Sequence, residues 1–374
     1  MSAISVMIKP ASGACNMDCG YCFYRDEASK RFKPDRGLMS LSTLKKIFSE
    51  AFEYAKKDPV YIVFQGGEPL LAGKDFFRQA IIWASELNKY GAPVYLNVQT
   101  NGTLIDDEWA KIFRHGNILV GLSIDGSEAL NAMRVYADGG ESFSDVMDAV
   151  NILNENGVEF NALCVVTKNV ARNIREAYRF LRDNVSRFIQ FVPVLKRARI
   201  SADGMVSRER DFSAETDACG REYSLSADDY YAYLSGAFDE YLKDILTGKY
   251  TSVRNFDNLV RLSRGYRAEM CGMNGHCERQ FVIEADGTAY PCDFFCLDAY
   301  ETGNINECGF SALESSPAAV RFLKEGSVLR EECAACAYYK LCGGGCRREA
   351  LDIDKCEATK KFLRNALRHL VRIR

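Results

Sequence analysis

The sequence lacks the features of a secreted, membrane-spanning or nucleic-acid-binding protein. Its 48 lysines and arginines are balanced by 51 acidic residues, so the formal net charge of −3 leaves no basic surplus for nucleic acid. No apolar run approaches the roughly 20 residues that a membrane helix needs. The first ten residues run directly into a cysteine cluster, unlike a secretory signal. We therefore expect a cytoplasmic protein that binds neither nucleic acid nor membrane.

Cysteine, by contrast, is abundant, with 15 in 374 residues. Because the cytoplasm keeps thiols reduced, metal or cluster ligation explains them better than a disulfide framework. The cysteines are also clumped, with three between 15 and 22, three between 271 and 292 and five between 333 and 356. Ligands of one centre must be close, whereas core cysteines would be scattered. The other four are predicted to be small buried side chains: Cys164, Cys219, Cys296 and Cys308.

The first half of the chain alternates short β-rich runs with stretches of helical periodicity, as expected of βα units that build a parallel sheet. Strands are predicted at 5–9, 60–65, 94–99, 118–124, 160–166 and 188–194. Helices are predicted at 41–57, 75–90, 106–115, 143–156 and 174–184. These repeats predict an α/β fold with a partial (β/α)6 TIM-like barrel, and an open doubly wound sheet is the alternative.

The composition changes near residue 230, so we expect two domains, 1–230 and 231–374. Residues 197–226 are polar with little periodicity, which predicts an insertion or a mobile loop. The second domain is predicted to contain a long helix, a hairpin and a closing basic amphipathic helix, at 227–246, 280–290 and 358–374.

Three closely spaced cysteines, Cys15, Cys19 and Cys22, follow the first predicted strand. A [4Fe–4S] cluster usually takes four cysteines, so three leave one iron open to a small-molecule ligand. Zinc is the alternative, but a closed structural zinc site needs four ligands and no nearby histidine supplies the fourth. The spacing, with aromatic residues around the last cysteine, resembles the signature of the radical S-adenosylmethionine (SAM) family.

A second motif, Gly66-Gly67-Glu68-Pro69, directly follows the second predicted strand. Two glycines let the backbone approach a ligand closely, and Glu68 can accept hydrogen bonds from an amine, although alone the motif could be a plain turn. In the resembling family this motif holds the methionyl amino group of SAM. The resemblance implies further cofactor contacts, several of which could instead be strand-end caps, at Tyr21, Gln99, Asn101, Ser123, Arg134 and Leu195.

The C-terminal cysteines resemble the SPASM extension of radical SAM proteins, in which eight thiolates complete two clusters. The resemblance assigns one auxiliary cluster to Cys271, Cys277, Cys292 and Cys346. It assigns the other to Cys333, Cys336, Cys342 and Cys356. The spacing of the cysteines alone gives no reason to place Cys346 in the first set. Two zinc sites are the alternative to two iron–sulfur clusters. The expected cofactors are therefore SAM and three [4Fe–4S] clusters.

The resemblance is more specific in four short segments, which look like those of the anaerobic sulfatase-maturating enzymes: 22–24, 64–69, 271–275 and 292–294. Those enzymes convert a Cys or Ser of an unfolded sulfatase segment into Cα-formylglycine. The resemblance implies that a radical made from SAM takes a hydrogen from the target Cβ while an electron leaves through the auxiliary clusters. It selects Asp293 as the base, with Tyr24 and Gln65 placing the peptide. Asp293 could instead only tune the neighbouring cluster.

The residues leave two other functions open. A radical SAM enzyme of the same SPASM type could cross-link a ribosomally made peptide, for example through a thioether, although eight cluster cysteines leave no position open for a substrate sulfur. A non-catalytic electron carrier or zinc module would need no SAM pocket, and the three-cysteine loop argues against it. The expected partners are an unfolded sulfatase-like peptide and a small electron-donor protein such as flavodoxin or ferredoxin.

Overall fold

The computed structural model describes residues 3–370, in which ten strands form one sheet. The strands are β1 (Ile4–Lys9), β2 (Val60–Phe64), β3 (Val94–Thr100), β4 (Leu119–Ser123), β5 (Phe160–Val166), β6 (Phe188–Pro193), β7 (Ser252–Val253), β8 (Phe281–Glu284), β9 (Thr288–Tyr290) and β10 (Gly303–Asn304). The six predicted strands are confirmed, each to within one residue at either end.

The same residues form sixteen α-helices. Those of the first half are α1 (Phe23–Ser29), α2 (Leu41–Ala55), α3 (Lys74–Glu86), α4 (Asp107–His115), α5 (Glu128–Asn131), α6 (Phe143–Glu155), α7 (Lys168–Arg172) and α8 (Ile174–Asn184). The others are α9 (Ala227–Leu246), α10 (Arg254–Ser263), α11 (Phe310–Ser315), α12 (Pro317–Gly326), α13 (Glu331–Ala334), α14 (Tyr339–Cys342), α15 (Glu349–Asp352) and α16 (Cys356–Leu370).

Strands β1 to β6 lie side by side in chain order and all are parallel. A doubly wound sheet would reverse its strand order at a switch point, so the observed order is that of a partial (β/α)6 barrel. Side chains alternate along the strands. In β5, for example, every second residue is buried beneath the helices, whereas the residues between them face the inside of the barrel.

Most predicted helices agree with the structure to within two residues, and α3 is the exception because it stops at Glu86 rather than at residue 90. The side chain of Asn88 explains the early end. Its amide accepts from the Ala92 nitrogen at 2.9 Å and donates to the Ala92 oxygen at 2.8 Å. An asparagine that bonds the backbone in this way competes with helical hydrogen bonds and favours a turn.

The C-terminal part of the chain extends the barrel sheet. The predicted hairpin is present as β8 and β9, and β8 pairs in parallel with β1. This pairing places the end of β8 next to the end of β1, since Glu284 is the register partner of Lys9. Helix α9 spans the predicted domain boundary at 230. It packs against α8 of the first predicted domain and against α16 of the second. Because one helix contacts both parts, the boundary stays a prediction. Helix α16 begins two residues earlier than predicted, and 371–374 lie outside the described residues.

Residues 197–226 contain no helix or extended strand, as predicted, and are held by isolated bridges at Ile200–Val206 and Thr216–Glu222. The prediction that all four unassigned cysteines are buried is wrong for Cys219, which is exposed. Its amide donates to Asp217 Oδ1 at 3.0 Å in a tight turn, and the turn directs the thiol outward. Cys164 and Cys296 are fully buried and Cys308 is half-buried.

Candidate active site

A cavity of about 1640 Å³ opens at the carboxyl ends of the barrel strands. This is the edge where parallel α/β folds carry their chemistry. Every cysteine that was predicted to bind a cluster lines it. So do all but one of the other predicted site residues: Tyr21, Tyr24, Gln65, Gly66, Gly67, Gln99, Asn101, Ser123, Arg134, Leu195 and Asp293. The structure therefore brings together residues that lie up to 341 positions apart, from Cys15 to Cys356.

The Gly-Gly-Glu-Pro loop packs directly against the loop that carries the first cysteines. The Gly67 nitrogen donates to the Ser12 oxygen and the Glu68 nitrogen donates to the Ala14 oxygen, each at 2.8 Å. A Cβ on Gly67 would lie 1.9 Å from the Ala14 oxygen. Only glycine therefore permits this approach, which shapes one wall of the cavity.

Glu68, the exception, does not face the cavity because its side chain is fully buried. Its carboxylate accepts from the Thr100 hydroxyl and the Asn101 nitrogen at 2.8 Å and from the Leu70 nitrogen at 3.0 Å. Burial raises the pKa of Glu68 to about 7, and these hydrogen bonds act in the opposite direction. The side chain fastens the loop to the end of β3, which leaves the backbone of Gly66 and Gly67 to line the cavity.

Replacing Gly67 by alanine tests this close approach. We expect the free energy of unfolding to fall by about 1–3 kcal/mol, as for overpacked sites, and SAM to bind more weakly because the cysteine loop must move. Anaerobic urea denaturation and equilibrium dialysis measure the two effects. Gly140→Ala is the control, because Gly140 is exposed and its added Cβ would meet only the side chains of Asp138 and Tyr136 and no backbone atom. Equal stability of the two variants would contradict the expectation.

A buried cluster of Tyr21, Asp125 and Arg134 forms another part of the wall. The Tyr21 hydroxyl donates to Asp125 Oδ2, and Arg134 Nη2 donates to Asp125 Oδ1 at 3.1 Å. Asp125 is fully buried and follows Ser123, the last residue of β4, by two positions. It holds Tyr21 and Arg134 in place.

The cysteines near the N-terminus form one group of neighbours. Burial raises the pKa of Cys15 to about 11, and the nearby thiol of Cys22 adds to the shift. Burial raises the pKa of Cys19 to about 12, where Arg134 lowers it and Cys22 and Cys15 raise it. The three thiols are thus close enough to sense each other's charge, as ligands of one centre would be.

A second group consists of Cys271, Cys277, Cys292 and Cys346. Burial raises the pKa of Cys292 well above its usual value, and Cys346 and Cys271 raise it further. Burial raises the pKa of Cys277 most. Arg347 lowers this pKa, and Cys346 raises it. A Cβ on Gly272 would lie 2.8 Å from the Cys346 nitrogen, so Cys346 packs against the Cys271 turn. This contact explains how Cys346 joins cysteines that precede it by more than 50 residues.

The third group consists of Cys333, Cys336, Cys342 and Cys356. Burial raises the pKa of Cys342, and the other three thiols add to the shift. The pKa of Cys356 is raised by burial and by Cys333 and Cys336 among its neighbours. No three Cys, His, Asp or Glu side chains between residues 3 and 370 converge tightly enough to hold a single metal ion. Each group is therefore a set of neighbouring thiols that are not close enough together to bind one metal ion.

Asp293 follows Cys292, one of the predicted cluster ligands, and is 7% exposed. Its Oδ1 forms an ion pair with Lys9 Nζ at 2.5 Å, and its Oδ2 accepts from Gln65 Nε2 at 3.2 Å. Lys9, which ends β1 and is fully buried, was not among the predicted site residues. A lysine at the end of a buried strand is the signal that could have identified it, because buried charges need partners.

Tyr24 belongs to the same network but does not contact Asp293 through its hydroxyl. The hydroxyl donates to Glu284, which also pairs with Arg31 at 2.8 Å. Lys9 Nζ lies 3.6 Å from the centre of the Tyr24 ring. Tyr24 therefore reaches Asp293 through Lys9, whereas Gln65 reaches it directly.

Replacing Lys9 by methionine should lower the free energy of unfolding by about 3–5 kcal/mol, because the change leaves the Asp293 carboxylate buried without its cation. The double variant Lys9→Met/Asp293→Asn removes both charges and should recover most of the loss. Anaerobic urea denaturation of the three proteins measures this. A single variant that is as stable as the wild type would show that the pair contributes nothing.

The chain matches known families over both halves. The radical SAM superfamily matches residues 10–181, and the SPASM iron–sulfur cluster-binding domain matches residues 271–337. The second match favours iron–sulfur clusters over the zinc alternative. No helix within residues 3–370 has the length and apolar character needed to cross a membrane.

Full-length relatives are more specific. The chain is 38% identical to a cysteine-type anaerobic sulfatase-maturating enzyme of Clostridium novyi, over 97% of this chain and 95% of that protein. It is 32% identical to a serine-type enzyme of Bacteroides thetaiotaomicron, over 91% of this chain and 82% of that protein. The structure of native anSMEcpe with bound AdoMet and Cp18Cys peptide superimposes with a TM-score of 0.88 at 34% identity, covering 99% and 98% of the two chains. The chain therefore belongs to the anaerobic sulfatase-maturating enzymes, a family of radical SAM oxidoreductases with a C-terminal SPASM domain.

Proposed function

We propose that this protein oxidises a cysteine in a sulfatase-type peptide segment to Cα-formylglycine, with serine as the other candidate target. One observation carries the proposal. The cavity contains the three-cysteine loop, the Gly-Gly-Glu-Pro loop and Asp293, which is the residue next to an auxiliary cysteine. A radical source, a base and an electron acceptor thus face one space. Cysteine is preferred because the cysteine-type relative is the more similar of the two.

The cofactors in this proposal are SAM and three [4Fe–4S] clusters. The three groups of neighbouring thiols fit three clusters, and the group of three leaves one iron for SAM. When bound there, SAM supplies a 5′-deoxyadenosyl radical after one-electron reduction. The backbone of Gly66 and Gly67 and the side chains of Gln99, Asn101 and Ser123 line the same cavity, as do Tyr21, Arg134 and Leu195, and are the proposed contacts. Glu68 contributes indirectly, because its buried carboxylate holds the Gly66–Gly67 loop in place.

Asp293 is the proposed base, which accepts the thiol or hydroxyl proton of the target residue. Lys9 and Gln65 hold its two oxygens and so orient the carboxylate. Tyr24 packs under Lys9 and limits its movement. Because Asp293 adjoins Cys292, the proton and the electron leave the substrate at neighbouring positions. The oxidation removes one hydrogen atom through the radical, one proton and one electron, and for a cysteine target water then replaces the sulfur of the resulting thioaldehyde, which leaves as H2S.

The proposed partners are an unfolded sulfatase-like peptide and a small electron-donor protein such as flavodoxin or ferredoxin. The proposed location is the cytoplasm, where fifteen reduced cysteines are chemically stable. We also propose 1–230 as the barrel domain and 231–374 as the auxiliary-cluster domain, joined through the pairing of β1 with β8.

The proposed function is tested anaerobically with the reconstituted enzyme, dithionite, SAM and a peptide containing Cys-x-Pro-x-Arg. We expect 5′-deoxyadenosine together with a peptide that has lost two hydrogens and exchanged sulfur for oxygen. 5′-Deoxyadenosine with a cross-linked peptide would instead support the peptide-modifying alternative. If SAM is not cleaved at all, the non-catalytic alternative would hold.

A further inference from the structure

The inner wall of the barrel carries three side-chain amides that no step of the proposed reaction uses. Asn97 of β3, Asn161 of β5 and Gln190 of β6 all line the cavity. Their neighbours along each strand are buried: Leu96, Val98, Phe160, Ala162, Ile189 and Phe191. Because side chains alternate along a strand, the three amides point into the barrel.

None of these three amides makes a side-chain hydrogen bond to any residue between 3 and 370. Other amides in the cavity do, since Gln99 donates to Ser123 at 2.9 Å and Gln65 donates to Asp293 at 3.2 Å. The inside of such a barrel is usually filled by branched apolar side chains. Each amide offers two donors and one acceptor and is only half-buried, so it is open to water or to a molecule that enters the cavity.

Asn161 lies beside the proposed cofactor contacts. Asn161 pairs with Gly121 of the neighbouring strand β4. On its other side, Gly121 pairs with Gln99 of β3. Gly121 has no side chain to separate them, and the Gln99 amide lies over it, with its Oε1 2.1 Å from where a Cβ would be. Asn161 thus lies in the same row as Gln99, a proposed cofactor contact, and is separated from it by the one strand that carries Gly121.

Gln190 occupies the next row towards the cavity mouth. Its register partner is Leu163, which is the partner of Ser123. Strands β5 and β6 lie at the opposite end of the β1-to-β6 arc from β1, whose last residue, Lys9, holds Asp293. The cavity lies between these two walls, so Asn161 and Gln190 face the side that carries the base.

We propose that Asn161 and Gln190 bind the main chain of the substrate peptide while its target residue faces Asp293; this rests on the proposed function. An extended peptide in the cavity cannot pair its own N–H and C=O groups, and leaving them unpaired is costly. A side-chain amide presents the same donor and acceptor as a peptide group. Recognition of this kind reads the backbone and not the side chains, so it accepts segments of different sequence.

The test uses the reconstituted holoenzyme with SAM and a fluorescein-labelled peptide containing Cys-x-Pro-x-Arg, with Kd measured by anisotropy. Asn161→Leu and Gln190→Met keep the approximate shape and remove the hydrogen bonds. Each should weaken peptide binding by about 5- to 30-fold, while iron content and the Kd for SAM stay unchanged. Asn97→Leu is the matched control, because Asn97 pairs with Leu119 and so lies one row farther from the cavity mouth than Asn161, which pairs with Gly121. It should bind the peptide as the wild type does.

Peptides that are N-methylated at single backbone positions give a second measurement. One methylation should weaken binding to the wild type but cause no further loss in Asn161→Leu or in Gln190→Met. If both variants bind the unmodified peptide with the wild-type Kd, the amides hold only water and the inference is overturned. Failure of the proposed function is distinguishable, because the wild type itself would then neither bind nor oxidise the peptide.

Discussion

The combined replacement of Cys15, Cys19 and Cys22 by alanine will abolish cleavage of SAM and with it all formylglycine formation. The reason is that these neighbouring thiols are the proposed ligands of the cofactor cluster, in which three cysteines would leave one iron open to SAM. Iron should fall from about twelve to about eight atoms per chain if the other two clusters are intact. Iron analysis and assay of 5′-deoxyadenosine measure the two effects.

Cys219→Ala is the matched control, because Cys219 is exposed and outside all three groups. It should keep both the iron and the activity. Cys346→Ala adds a test of the crossover, since it should disturb the same electron paramagnetic resonance signal as Cys271→Ala and a different one from Cys356→Ala. Retention of SAM cleavage by the triple variant would disprove the assignment of the cofactor cluster.

Asp293→Asn should lower the rate of formylglycine formation by about 10²–10⁴-fold, the usual range for loss of a general base. The amide keeps the shape and can still accept from Lys9 but no longer balances its charge, so stability should fall while the folded enzyme retains its iron. Cleavage of SAM should fall much less than peptide oxidation, because the proposed role of Asp293 is to take a proton from the substrate. Parallel assays of 5′-deoxyadenosine and peptide mass measure the uncoupling.

Asp298→Asn is the control for this change. Asp298 follows five residues later and accepts from the Phe32 nitrogen at 2.8 Å, outside the cavity. It should oxidise the peptide at the wild-type rate. If Asp293→Asn also oxidises the peptide at that rate but shifts a cluster potential, then Asp293 only tunes the neighbouring cluster.

Local chemistry made much of the fold predictable. Each barrel strand is a short β-rich run whose burial alternates, so six strands were located to within one residue. The ends of helices were less predictable, as in α3, because a single asparagine side chain can end a helix early. The outward turn at Cys219 was missed for a similar reason, since it depends on one hydrogen bond from its own amide to Asp217.

The sequence by itself determined the chemistry of this protein, because the three-cysteine spacing and the Gly-Gly-Glu-Pro loop are local motifs whose function depends on nearby residues. Tertiary structure decided what depends on distant contacts. It paired β8 with β1, which brought Asp293 to Lys9, and it packed Cys346 against the Cys271 turn. It also turned Glu68 away from the cavity and left Asn161 and Gln190 facing it without partners. Neither burial nor pairing across hundreds of residues can be read from spacing, since both depend on how the whole sheet curves.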